Sequence, residues 1–81
     1  MLIEGHTDSK GSPDLNLERS KRRAEAVKDW LVKKKGTPKS IITTRGFGET
    51  KPVAPNTNPD GSDNPQGRQQ NRRVEITVEK T

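Results

Sequence analysis

Few side chains in this 81-residue chain could do chemistry, and they narrow what that chemistry is. His6 is the one histidine, there is no cysteine, and no carboxylate stands at a metal-ligand spacing, so the pattern points away from a metal centre. Hydrolysis would need paired carboxylates, an activated nucleophile or a metal, and Asp8, Asp14, Ser12 and His6 do not compose one. The chain reads as a non-enzyme without a cofactor, and what remains is ion-pair chemistry. Asp8 follows a short apolar run in a segment of turn formers, and Arg23 stands in a helical pattern. Taken alone, an aspartate after a strand and an arginine on a helix read as a salt bridge or a loop cap.

The elements that must position these residues are legible in outline. Leu2-Ile3-Glu4, closed by Gly5, is the end of a short buried strand, and His6 to Pro13 is a polar loop at its C-terminal end, a common place for a binding site. From about Leu15 to Lys35, Leu17, Ser20, Ala24, Val27 and Leu31 recur at helical spacing, with Asp14 or Asn16 as the expected cap. Glu18 with Arg22, and Asp29 with Lys33, stand four apart in acid-before-base order, Lys33 to Lys35 complement the helix dipole, and Gly36 and Pro38 end the helix. Ile41 to Thr44 is β-branched and reads as a second strand, which makes a βαβ unit. Residues 51–67 hold most of the prolines and read as a long loop without regular structure; Arg73 to Glu79 alternates apolar and charged residues, as a strand with one buried face does.

Charge and hydropathy set the class. A net charge of +5 favours anionic partners without choosing among them, and no apolar run approaches the ~20 residues of a membrane span. A mean hydropathy of −1.17 implies a thin core in one small domain of marginal stability. Nucleic acid is the alternative partner, suggested by Arg19, Arg22, Arg23, Arg68, Arg72 and Arg73, but the chain has neither base-stacking aromatic pairs nor a helix-turn-helix or zinc pattern, so none is expected. Trp30 and Phe47 are the only aromatics and read as core or sheet-covering residues. Met1 to Glu4 is no signal peptide, so any targeting segment or membrane anchor is expected outside these residues.

The joint pattern is more restrictive than any piece of it. Gly5-His6-Thr7-Asp8, Gly11, Asn16, Ser20, Arg23-Ala24, Gly46-Phe47-Gly48-Glu49, Pro52, Gly67-Arg68 and Asn71-Arg72-Arg73-Val74-Glu75-Ile76 follow in an order and spacing that resembles the OmpA C-terminal-like, Pal-like and MotB-like wall-binding domains. Arg19 departs from the leucine usual there. The resemblance implies an α/β sandwich, a small mixed sheet with helices on one face, in the order β-α-β-long loop-β. It also implies that residues 1–81 correspond to roughly the C-terminal two-thirds of such a domain, with its first strand and helix missing and a sheet edge that another segment or a second copy would cover.

The function implied is binding of peptidoglycan through the diaminopimelate of its stem peptide, which anchors the parent protein in the periplasm, at the outer membrane and wall. The free end of diaminopimelate carries an ammonium and a carboxylate on one carbon, so its receptor needs an anion and a fork-shaped cation close together. The resemblance assigns the ammonium to Asp8 and the carboxylate to Arg23. Asn16 lies two helical turns, roughly 10 Å, before Arg23 on the same face, where it could bond the loop or the ligand beside Arg23. Thr7 and Arg72 fall at positions that also face the site, while His6 is expected to hydrogen-bond within the loop.

Overall fold

Three four-residue strands form the sheet: β1 (Leu2–Gly5), β2 (Thr43–Gly46) and β3 (Val74–Thr77). In this computed structural model, which describes residues 1–78, β1 is central, parallel to β2 and antiparallel to β3, giving a mixed sheet of order β2-β1-β3. The parallel pair requires a crossover, supplied by helix α1 (Pro13–Lys35) and a short 3-10 turn at Lys39–Ile41. A second helix, α2 (Pro65–Asn71), precedes β3. The expected α+β architecture is present.

Local chemistry sets the bounds of α1. Ser12, rather than Asp14 or Asn16, is the N-cap; its Oγ accepts from the Leu15 N–H at 3.2 Å, and Pro13 at the first helical position loses no intrahelical bond. Gly36 closes the helix in the left-handed conformation, its N–H donating to the Leu31 carbonyl. Glu18 and Arg22 pair at 2.7 Å as their spacing predicts, whereas Asp29 and Lys33 form no ion pair among the described residues.

The core is as thin as the hydropathy implies. Ile3, Ala24 and Ile42 are its buried apolar residues, with Met1, Val27, Leu31, Val32 and Val74 packed around them. The buried stripe of α1 is Asn16, Ser20 and Ala24, so Leu17 of the expected stripe gives way to a polar residue. Close approach is why small residues stand there: a Cβ added at Gly5 would lie 2.0 Å from the Ser20 carbonyl oxygen.

Three boundaries differ from those expected. Ile41 belongs to the 3-10 turn, and the second strand runs from Thr43 to Gly46. The stretch read as a structureless loop ends in α2, because Asn64 caps the Gly67 N–H and Pro65 takes the first helical position. The last strand is shorter than its alternation suggests, with Glu79 outside the described residues. Its burial differs too. Ile76 pairs with Ile3 and so lies on the helix side of the sheet, yet it is 49% exposed, because α1 packs mainly on β1 and β2 and only Val74 of β3 reaches the core.

Candidate functional site

The loop that leaves β1 is pinned on three sides. The His6 N–H donates to the Arg73 carbonyl at 2.9 Å and the Thr7 N–H to the Gly48 carbonyl at 2.8 Å, while the Gly48 N–H donates to Ser20 Oγ on α1 at 2.9 Å. Thr7 Oγ1 donates to the Asp8 carbonyl at 2.8 Å, and Asn16 Nδ2 donates to the same carbonyl at 3.3 Å and to Glu49 Oε1 at 3.2 Å. Thr7, Asp8 and Asn16 are therefore buried polar residues held by backbone, as buried polar groups must be.

The carboxylate of Asp8 has two environments. Oδ1 accepts from the Lys10 N–H at 3.0 Å. Oδ2 accepts from Arg72 Nη1 at 2.6 Å and lies 3.6 Å from Arg68 Nη1. Burial works against ionisation of this group, but the Arg72 hydrogen bond, the Lys10 N–H and the charges of Arg72 and Arg68 outweigh it and hold the carboxyl below its ordinary value. Asp8 is thus an anion with acceptor capacity left, since a carboxylate offers about four lone-pair sites.

Arg68 lies in α2 and Arg72 is its C-cap, four residues on, with the Arg72 N–H donating to the Arg68 carbonyl at 3.1 Å, so the two side chains leave the same end of the helix. The helix is locked beneath them. Gly67 packs so closely that an added Cβ would lie 1.9 Å from the Pro55 carbonyl oxygen. The fully buried Asn71 side chain accepts from the Val53 and Ala54 N–H groups at 2.8 and 3.1 Å and donates to the Ala54 carbonyl and Asn56 Oδ1, both at 2.8 Å. Arg68 in turn forks onto Asp63, with Nε and Nη2 each 2.7 Å from one carboxylate oxygen.

Of the five residues singled out in the sequence, Thr7, Asp8, Asn16 and Arg72 come together. Arg23 stands on the exposed side of α1, two turns beyond Asn16, and makes no ion pair among the described residues. Arg68 and Glu49, which stand in the family pattern without a role at the site, and Asp63 join the cluster. The signal for Arg68 was its spacing to Arg72, which has meaning only once residues 65–71 are read as a helix.

His6 makes no bond within its loop. Its ring stacks on Phe47, with centroids 5.4 Å apart and 16° between planes, and Nε2 faces Glu75 Oε2 of β3 at 3.6 Å; Nδ1 has no partner among the described residues. Burial, reinforced by the Arg73 charge and opposed by Glu75, lowers its pKa. No group of three or more metal-ligating side chains occurs among the described residues. A cleft of about 360 Å³ lies elsewhere, between Lys21 and Glu25 of α1 and Thr44 to Gly46 of β2. The Asp8 cluster sets a buried carboxylate beside charged side chains that are partly exposed, Arg72 at 37% and Asp63 at 45%.

Fold and site together define a small α+β module that presents a buried anion ringed by arginines. The OmpA family model matches residues 1–75, and the chain belongs to the OmpA family. It is 59% identical over 76 residues to the photosystem I P700 chlorophyll a apoprotein A2 of Gloeobacter violaceus, covering 94% of this chain and 9% of that one. It is 42% identical over 78 residues to the peptidoglycan-binding protein ArfA of Mycobacterium tuberculosis H37Rv, covering 96% of this chain and 22% of that one. Among solved structures, the peptidoglycan-associated lipoprotein of Burkholderia pseudomallei superposes with a TM-score of 0.75 at 32% identity, covering 91% of this chain and 57% of that one. The chain thus spans a small part of these curated relatives and little over half of the solved lipoprotein chain.

Proposed function

We propose that this chain binds peptidoglycan non-covalently through the diaminopimelate end of the stem peptide, and so anchors whatever protein carries it to the cell wall, outside the cytoplasm. The observation that carries this reading is the Asp8 carboxylate, kept ionised in a pinned loop beside two guanidinium groups. An ammonium takes the open lone pairs of Asp8, and the neighbouring carboxylate of the same carbon is met by a guanidinium fork. Arg23, exposed and without an ion-pair partner among the described residues, is the fork assigned to it; Arg72 completes the charge ring, with Thr7 and Asn16 holding the loop. Two relatives named for peptidoglycan support the wall as target. The photosystem relative shares only a short stretch, consistent with a binding function that travels with the module rather than with its host.

The 81 residues are read, on the same footing, as roughly the C-terminal two-thirds of a domain. The uncovered side of β3 supports this: Ile76 and Val78 are 49% and 66% exposed where a further segment, or a second copy of the chain, would pack.

Titration calorimetry with a diaminopimelate-containing stem peptide, against the lysine-containing peptide, tests the binding claim. Selective binding is expected, because only the former presents the extra carboxylate. Asp8→Ala and Arg23→Ala should each abolish it with the circular dichroism spectrum unchanged. Retained binding by both folded variants would reject the site.

A further inference from the structure

Arg68 is the cation at Asp8 that this contact leaves unused. It differs from Arg72 in how it is held. Arg68 is 15% exposed and fixed by its two parallel bonds to Asp63, so only its third nitrogen, Nη1, faces Asp8, at 3.6 Å. Arg72 is 37% exposed and anchored by one bond, Nη1 to Asp8 at 2.6 Å, and no other side-chain bond holds its guanidinium among the described residues.

We propose that Arg68 is a positioning residue: fixed on Asp63, it holds the Asp8 carboxylate from one side, so that Arg72 can leave Asp8 and turn toward the ligand carboxylate, beside the fork of Arg23. The inference rests on the zwitterion-binding reading above. A buried anion whose only cation departs is costly, and Arg68 removes that cost because it stays when Arg72 goes. Its partial neutralisation by Asp63 and its longer distance leave the Asp8 lone pairs open to the incoming ammonium. The clamp on α2, Gly67 against Pro55 and Asn71 bonded to residues 53–56, keeps the fixed arginine and the exchangeable one in register at one end of the helix.

The groups facing Asp8 are Arg68 from α2 and Arg72 at its C-cap, the Lys10 N–H in its own loop, Asp63 beyond Arg68 with Lys10 Nζ 3.9 Å from it, and Glu49 across Asn16. With Arg68 absent, Asp8 takes up a proton more readily once Arg72 turns to the ligand. Loss of Arg68 should therefore weaken binding and also move its acid limit to higher pH.

The test is titration calorimetry of Arg68→Gln, Arg68→Lys and Asp63→Asn with the diaminopimelate-containing stem peptide across pH 3 to 7, circular dichroism confirming each fold. Arg68→Gln should bind at least about tenfold more weakly, with its acid limit moved upward, since a charge 3.6 Å from a largely buried carboxylate contributes at least that order. Arg68→Lys should recover part of the affinity, because it keeps the charge and loses the fork. Asp63→Asn, which releases the same fork without touching the arginine, should weaken binding too. Wild-type affinity in folded Arg68→Gln, or a weakened affinity with an unmoved acid limit, overturns the positioning role while leaving the site intact. Absence of binding by the wild-type chain overturns the site reading, and this inference with it.

Discussion

Asn71→Ala should be the most damaging single truncation of a polar side chain here, and its size can be worked out beforehand. The side chain is fully buried and satisfies the Val53 N–H, the Ala54 N–H, the Ala54 carbonyl and the Asn56 amide oxygen. An unsatisfied buried polar group costs about 1–3 kcal/mol, and the lower end applies because Val53 and Ala54 lie near the surface, where water can reach part of the gap. Three orphaned backbone groups at about 1 kcal/mol each give roughly 3 kcal/mol. A chain of this size has a total stability of about 4–12 kcal/mol, so a quarter or more of it rests on one side chain. Tm should fall by roughly 12–24 °C, at about 4–8 °C per kcal/mol. Urea and thermal unfolding followed by circular dichroism measure both quantities. A loss below about 1 kcal/mol would refute the reasoning, since the segment at 53–56 would then be shown to need no clasp.

Gly67→Ala puts a methyl where only 1.9 Å separates it from the Pro55 carbonyl oxygen, and should cost about 1–3 kcal/mol in the same unfolding assay. Ser12→Ala removes the α1 cap and should cost about 1 kcal/mol, with the sheet unaffected. His6 gives the pH dependence: its folded pKa lies below the ordinary 6.5, so the unfolded chain binds the proton more readily. The stability is therefore fully present above pH 6.5 and is lost as the pH falls through that value toward the lowered one, and His6→Gln should flatten this slope in urea unfolding across pH 5 to 8.

The parts of the fold that the sequence discloses are those whose signal is local. The α1 periodicity, the βαβ pairing and the polar loop after the first strand all follow from residue spacing within one element or its neighbours. What stayed hidden depends on partners far along the chain. Asn16 reads both as a cap and as a residue able to bond the loop; it is buried and bonds the loop at the Asp8 carbonyl, but its second bond, to Glu49, lies 33 residues away, beyond what spacing can show. The α2 helix was masked by the prolines and asparagines around it, whose turn signals are the same ones that cap it. With α2 unread, Arg68 and Arg72 could not be seen as two cations at one end of a helix. Ile76 and Val78 alternate as a buried strand should, and only the reach of α1 shows that the apolar side of β3 is left exposed beyond Val74.

The way β3 is attached has a kinetic corollary. β1, α1 and β2 are contiguous in the chain and close on one another, whereas residues 53–78 join them through the β1–β3 ladder, the His6 N–H bond to Arg73 and the Asp8–arginine contacts, the Asp8–Arg72 pair closing a loop of 64 residues. Long loops close late because their ends must first find each other. The anion and its cations thus sit on opposite sides of the last seam to form and the first to open. A ligand that grips both sides acts as a staple across that seam, so amide exchange should slow most in α2 and β3, and least in α1, when the site is filled.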